Sequence, residues 1–397
     1  MKILHTSDWH IGHMLYNWDR SDEHKLFFEK LKDTIKTEKP DALVICGDIF
    51  HNTAPSSSAQ KMYIENMLRI HEAFPEMTTV IIAGNHDSGS RLETDRMLWS
   101  HFNVHVVGNI SRDYNDGSAD RHIIPVGNPA KGYIIAIPHC YPQNFPDMGD
   151  DLPREKRPAA FINSLLRRVS EINNEGLPVV MTAHATVVGS DPKKQNIIVG
   201  GIDSINISEL GDGYDYLALG HIHFPQTIGG KARYSGSAIP VSFNEDYPHS
   251  LSIVEIESHG AAPAIRTIGL PLLRQVVTIP EGEAVPFEEA LEELRKFPED
   301  REAYIRLNVK VKQYGGADWA AKAEAATEGK KCRYCCINLS TGPIQEVTGN
   351  ERQLSQEELM EKDPLDIAEL HWLAEKGCEM DERLREKLEG IIRKTVG

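Results

Sequence analysis

The chain has 397 residues, of which 40% are hydrophobic and 26% charged, and its formal charge is −16. That length accommodates one large core plus smaller units, and the composition is ordinary for a globular protein, with no apolar run near the ~20 residues of a membrane span. The acidic surplus excludes a protein that coats nucleic acid by phosphate neutralisation alone, so the chain by itself is expected to bind DNA weakly.

The N-terminal Met1-Lys2-Ile3-Leu4-His5-Thr6 runs straight into a motif without an apolar leader, which makes the cytoplasm the expected compartment. Six cysteines show no framework spacing, so reduced thiols are expected. Cys332-Arg333-Tyr334-Cys335-Cys336 contains a C-x-x-C but no second pair, and reads as a strand with buried thiols rather than a zinc site.

In chain order, a short strand start (Lys2 to His5) leads to Asp8-Trp9-His10, and Asp22 to Thr37 places Leu26, Phe27, Leu31 and Ile35 at helical spacing. The apolar run Ala42 to Cys46 precedes Gly47-Asp48-Ile49-Phe50-His51. A following helix carries a stripe of Tyr63, Met67, Ile70 and Phe74. Such a stripe suits core packing or, with Leu92, Leu98 and Trp99 of the next helix, contact with a twin subunit.

Thr79 to Ala83 ends in Gly84-Asn85-His86-Asp87, Pro178 to Thr182 leads to His184, and Tyr216 to Leu219 to Gly220-His221-Ile222-His223. Tyr133 to Ile137 and Leu251 to Ile256 also read as buried strands, and Arg157 to Asn173 as a helix. This alternation predicts a layered α/β domain with sheets packed face to face and helices outside.

Near Gly269 the character changes, with Pro271, Pro280, Gly282 and Pro286 as punctuation. Beyond it the pattern reads strand, helix (Phe287 to Phe297), strand (Ala303 to Val311), helix (Asp318 to Thr327), strand (Cys332 to Leu339), a small α+β unit. The tail reads as helical: Ser355 and Glu358 form a capping box, Asp363-Pro364 starts a helix that Gly377 ends, and Met380, Leu384, Leu388 and Ile391 share one side of the last. These short amphipathic helices suit packing on the parent domain or docking to a partner helix.

Chemistry enters through the motifs. Asp8 and His10, two apart in extended chain, point the same way, and an oxygen and nitrogen donor set suits Mn²⁺, Fe or Zn²⁺. Asp48 emerges beside a glycine at a strand end, a position suited to a ligand shared by two ions. Asn85 offers an amide oxygen, and His86 beside it can face substrate as a proton donor. Asp87 either orients a histidine or caps a helix. Asp8, His10, Asp48 and Asn85 with His184, His221 and His223 make seven ligands for two cations, a set that activates water toward a phosphorus atom and predicts phosphate-ester hydrolysis.

The D-x-H, G-D, G-N-H, H and G-H-x-H blocks resemble the calcineurin-like metallophosphoesterase superfamily over roughly residues 1 to 255. Within it, His5-Thr6-Ser7-Asp8-Trp9-His10-Ile11-Gly12, Gly47-Asp48-Ile49-Phe50-His51, Gly84-Asn85-His86-Asp87-Ser88, Val199-Gly200-Gly201, Asp215-Tyr216-Leu217-Ala218-Leu219-Gly220-His221-Ile222-His223, Tyr234-Ser235-Gly236-Ser237 and Phe243-Asn244-Glu245 resemble the SbcD family of bacterial nuclease subunits.

The resemblance implies an α/β fold: a two-sheet metallophosphoesterase sandwich (1-270), a small α+β capping domain (271-350) and a helical C-terminal tail (351-397) that docks a partner. It implies two divalent ions, Mn²⁺ by preference, one on Asp8, His10, Asp48 and His223 and the other on Asp48, Asn85, His184 and His221. His86 would then stabilise or protonate the leaving oxygen, with His51 at the scissile phosphate.

The implied function is that of the nuclease subunit of an ATP-dependent DNA exonuclease and hairpin endonuclease. It would act in repair, recombination and replication as a homodimer formed through nuclease-domain helices, with an SbcC-type ABC ATPase bearing coiled coils. No G-x-x-x-x-G-K-[ST] occurs in the chain, so ATP dependence would come from the partner.

Phe224 stands where a basic residue is expected, which puts one phosphate contact in doubt. A protein phosphatase would carry Asp where His51 stands, followed by Arg, and Glu in place of Asp87; neither is present. A small-molecule or cyclic-nucleotide phosphodiesterase is the alternative, but it leaves the cap and tail without purpose. A scaffold without metal is disfavoured because all seven ligands are present.

Overall fold

The computed structural model describes residues 1–111, 118–148, 152–191, 210–311, 316, 318–341 and 385. The chain divides into two compact units, Met1–Ser340 and Thr341–Gly397. The expected tail helices and the Val199-Gly200-Gly201 phrase lie outside the described residues.

Two six-stranded sheets form the bulk of the first unit. One runs in the order Ala264–Gly269, Ser250–Glu255, Lys2–Thr6, Ala42–Cys46, Thr78–Ile82, Val104–Val107. The other runs Gln226–Ile228, Ala232–Tyr234, Tyr216–Gly220, Val179–His184, Tyr133–Ala136, Ile123–Pro125. Strands Lys2–Thr6, Ala42–Cys46 and Thr78–Ile82 are mutually parallel, as are Tyr133–Ala136, Val179–His184 and Tyr216–Gly220. Their carboxyl ends therefore deliver successive loops to one edge of each sheet.

Side-chain alternation explains how the sheets stack. Ile3, Val44 and Val80 share a core with Ile134, Val180, Tyr216 and Ala218 of the second sheet, so these positions lie between the sheets. Their neighbours Leu4, Leu43, Ile45 and Ile81 point the other way, onto helices Ser21–Glu38 and Ser57–Ala73. Met181, Leu217 and Leu219 likewise meet helix Arg157–Ile172 through Phe161, Leu165 and Val169. The resulting helix–sheet–sheet–helix layering is the sandwich the sequence predicts, and covering both faces accounts for strands that are apolar throughout.

The Tyr63, Met67 and Ile70 stripe is buried with Leu92 and Trp99 in the core between the first sheet and helices Ser21–Glu38 and Ser57–Ala73. Intramolecular packing therefore absorbs these residues, and on this surface Ile64, Met97 and Leu98 stay exposed. No helix among the described residues is long and apolar enough to cross a membrane.

A three-stranded sheet, Gln275–Ile279, Ala303–Val311 and Arg333–Thr341, is backed by helices Phe287–Lys296 and Trp319–Thr327 around Leu291, Leu294, Ile305 and Leu307. Val276 and Tyr304 on its opposite face pack with Leu15 and Phe243. Tyr304 donates its hydroxyl to the buried Glu23 carboxylate at 2.7 Å, and the Arg20 guanidinium lies 4.8 Å over the Tyr304 ring. Trp18, in a short hairpin the sequence does not announce (Met14–Leu15 with Trp18–Asp19), donates to the Tyr334 carbonyl at 2.8 Å. Cys332 is buried beside strand Arg333–Thr341, and among the described residues none of its cysteines joins a metal-binding group.

Candidate metal centre

Every candidate ligand sits at or just past the carboxyl end of a parallel strand: Asp8 and His10 after Lys2–Thr6, Asp48 after Ala42–Cys46, Asn85 after Thr78–Ile82. His184 ends its own strand, and His221 and His223 follow Tyr216–Gly220. The chain turns sharply here, since Asp8 (φ 52°), His10 (φ 47°), Asp48 (φ 51°) and His221 (φ 96°) all adopt left-handed backbone that non-glycine residues rarely take, so Asp8 and His10 are brought together by a turn beyond the strand and not by the extended chain the sequence suggests. Asp8 N–H bonds the Gly47 carbonyl and His10 N–H the Asp48 carbonyl, both at 3.0 Å, which ties the first two loops together.

Glycine is required where loops meet. A Cβ on Gly84 would fall 2.1 Å from Asp48 Oδ1, and one on Gly220 would fall 1.8 Å from the Cys46 carbonyl.

The side chains converge in two overlapping groups. His10 Nε2 faces His223 Nε2 at 3.1 Å and Asp48 Oδ2 at 3.7 Å, and His223 Nε2 lies 3.9 Å from Asp8 Oδ1. On the other side His184 Nε2 lies 3.0 Å from Asn85 Oδ1 and 3.5 Å from Asp48 Oδ2, and His221 Nδ1 lies 2.9 Å from Asn85 Oδ1. Asp48 belongs to both groups. Asp8, His10 and His223 form one cluster of metal-ligand spacing, and Asp8, Asp48 and His184 another.

Hydrogen bonds at the far ring nitrogens fix the imidazoles. His184 Nδ1 donates to the Cys46 carbonyl (2.8 Å), and His223 Nδ1 to the Glu245 carboxylate (2.9 Å). Since Nδ1 donates in each, Nε2 is the atom turned to the cluster, where it either holds a proton or gives its lone pair to a cation.

Electrostatics follow from this crowding. Burial works against charge on His184, yet the Asp48 carboxylate outweighs it and raises the imidazole to about 9; burial is outweighed at His223 by Glu245, also to about 9. Burial opposes ionisation of Asp48 too, but its histidines, His184 foremost, hold its carboxyl well below the usual range. Burial drives His10 well below its ordinary value, and burial with His184 lowers His221 to about 3.

The site thus pulls positive charge toward the points where imidazole nitrogens and carboxylate oxygens converge. A divalent cation satisfies that pull, and mixed oxygen and imidazole donors fit an ion of the Mn²⁺, Fe or Zn²⁺ kind.

His51 and His86 stand at the rim. His86 N–H bonds Asp48 Oδ1 (2.8 Å) and its Nδ1 donates to the His51 carbonyl (2.7 Å), while the two rings stack 5.6 Å apart. The His10 ring meets the His86 ring edge-on at 4.9 Å.

Asp87 neither orients a histidine nor caps the next helix, whose cap is Ser88. Its carboxylate accepts from the backbone N–H groups of Ile49 (3.1 Å), Phe50 (3.0 Å) and Gly84 (2.9 Å), which clamps two ligand-bearing loops together. Burial and the Asp48 charge push that carboxyl up to about 6. Phe224 packs edge-on against Tyr247 at 5.0 Å.

Three residues went unassigned by sequence reasoning: Glu245 behind His223, His13 with its ring 4.6 Å from His51, and His139, whose Nδ1 donates to the His184 carbonyl at 3.2 Å. The Phe243-Asn244-Glu245 phrase signalled the first, whereas lone histidines carried no signal.

Comparison with known proteins agrees with this geometry. The calcineurin-like phosphoesterase family matches residues 1–225. The chain is 33% identical over 305 residues to a Rhodobacter capsulatus protein named as the SbcD component of the nuclease SbcCD, covering 73% of this chain and 74% of that one. It is 27% identical over 376 residues to the Escherichia coli K12 protein of the same name, covering 90% of each. Similarity to the Bacillus subtilis protein of that name is 28% over 328 residues, 78% of this chain and 79% of that one.

Proposed function

Because the chain belongs to the calcineurin-like phosphoesterase family and, within it, to the SbcD nucleases, we propose that it is the metal-dependent nuclease subunit of a DNA exonuclease and hairpin endonuclease. The observation that carries the reading is the convergence of Asp8, His10, Asp48, Asn85, His184, His221 and His223 at the carboxyl ends of two sets of parallel strands. Two divalent cations bound there, Mn²⁺ by preference, would supply an activated water and neutralise charge on the phosphoryl oxygens. Asp8, His10, Asp48 and His223 would hold one ion, and Asp48, Asn85, His184 and His221 the other.

The rim histidines complete the chemistry. Because the His51 carbonyl fixes His86 Nδ1 as a donor, its Nε2 is the atom presented to substrate. When water attacks phosphorus and the phosphorus–oxygen bond to the departing sugar breaks, His86 steadies or protonates that oxygen. His51, stacked on His86, contacts the scissile phosphate.

The remaining organisation is proposed on the same footing: a nuclease domain over 1-270, a capping domain over 271-350, and a tail over 351-397 that docks an SbcC-type ABC ATPase with coiled coils, with homodimers formed through nuclease-domain helices. Such a partner supplies both the ATP site and positive surface for DNA, which offsets the charge of −16.

The test is cleavage of linear and hairpin DNA by the chain with and without its ATPase, in Mn²⁺ and in chelator. Mn²⁺-dependent cleavage, stimulated by ATP only with the partner present, is expected. A complex that leaves such DNA intact while hydrolysing cyclic nucleotides or small phosphodiesters would replace this reading with the alternative.

A further inference from the structure

The loop after strand Ala232–Tyr234 carries a buried carboxylate that the proposed chemistry does not use. Glu245 is 1% exposed, and among the described residues its ion-pair partner is His223 alone, at 2.9 Å. Its other contacts are neutral donors: the Ser237 hydroxyl (2.8 Å) and Val241 N–H (3.3 Å) on Oε2, and the Ser242 hydroxyl (3.4 Å) on Oε1. Ser237 is itself held by His249, whose Nδ1 donates to the Ser237 carbonyl at 2.9 Å. A carboxylate so placed is costly to bury unless it serves a cation or a polarised donor nearby.

We infer that Glu245 is the positioning residue for the metal ligand His223. The carboxylate receives Nδ1–H, which fixes the tautomer, aims Nε2 at the meeting point of Asp8 and His10, and strengthens the imidazole as an electron donor. Its own rotamer is set by Ser237, Val241 and Ser242, so the aim of His223 is built into the loop from Ser237 to Glu245. His184, on the other ion, is oriented by a backbone carbonyl instead, and Glu245 should therefore govern one ion and leave its neighbour alone.

The inference rests on the two-metal reading, and the experiment separates the two. Mn²⁺ is titrated calorimetrically into metal-stripped full-length protein, wild type and the variants Glu245→Gln and Glu245→Ala. Wild type is expected to take up two ions. Glu245→Ala should weaken one of them by about 10–100-fold while the other keeps its affinity, and Glu245→Gln, which can still accept Nδ1–H, should fall between.

Wild type that binds no Mn²⁺ overturns the metal reading and this inference with it. Wild type that binds two ions, with Glu245→Ala indistinguishable from it, overturns the inference alone. So does an equal loss at both sites, the result a merely structural role for the loop would give.

Discussion

His10 and His223, 213 positions apart in the chain, face one another Nε2 to Nε2 at 3.1 Å. Nδ1 of His223 is already committed to Glu245, so two lone pairs would oppose each other unless a proton or a metal ion is shared between them. A cation that binds the folded state and not the unfolded one stabilises the fold, so removing divalent ions should destabilise it. Mn²⁺ at a hundredfold excess over its dissociation constant adds about 2.7 kcal/mol per site, and the thermal midpoint measured in Mn²⁺ against chelator should rise accordingly. Equal midpoints would contradict the ligand assignment.

His86→Ala should separate binding from chemistry. The side chain lies at metal-ligand spacing from His10 and His51, but its Nδ1 is held by the His51 carbonyl and it is not among the seven proposed ligands, so both ions should remain bound while cleavage falls about 10²–10⁴-fold. Asp48→Ala should abolish both. Parallel Mn²⁺ titration and single-turnover DNA cleavage check the contrast.

Gly84→Ala is the smallest change that should disable the site. The added methyl would lie 2.1 Å from Asp48 Oδ1 and 2.3 Å from Asp48 N, so the shared ligand must move. Mn²⁺ affinity should drop by about tenfold or more, a loss that neither steric bulk at the surface nor a change in charge would explain.

How much of this was legible beforehand depends on whether a feature is local. Strands such as Ala42–Cys46 announce themselves because both faces are covered and every residue is apolar, and the ligands follow directly where those strands stop. The roles of Glu245 and Asp87 depend on partners 22 and 38 positions away in sequence, through hydrogen bonds that no periodicity encodes. The hairpin Met14–Leu15 with Trp18–Asp19 is too short to show alternation. The Tyr63, Met67 and Ile70 stripe reads alike whether a core or a second subunit covers it; the fold decides for the core.

Acid stability should be limited partly by His122. Its Nδ1 donates to the Ala136 carbonyl (2.7 Å) and its Nε2 accepts from Ser111 N–H (3.2 Å), so the pocket is built for the neutral ring. Burial lowers its pKa to about 4. The unfolded chain, with an ordinary value near ~6.5, binds the proton more readily, so this contribution is full above about pH 6.5 and is lost as pH falls toward 4. Urea midpoints across that window should decline, and His122→Gln should flatten the decline.

The left-handed backbone at Asp8, His10, Asp48 and His221 also sets the site against the rest of the molecule. Each such residue carries a conformational cost of about 1–2 kcal/mol that glycine would largely relieve. Selection for thermal stability alone would therefore favour losing these ligands, and a hardened variant would tend to be an inactive one. The layered core beneath this reactive edge has to offset that cost, and any programme to strengthen this protein is better aimed at that core than at the loops where its chemistry resides.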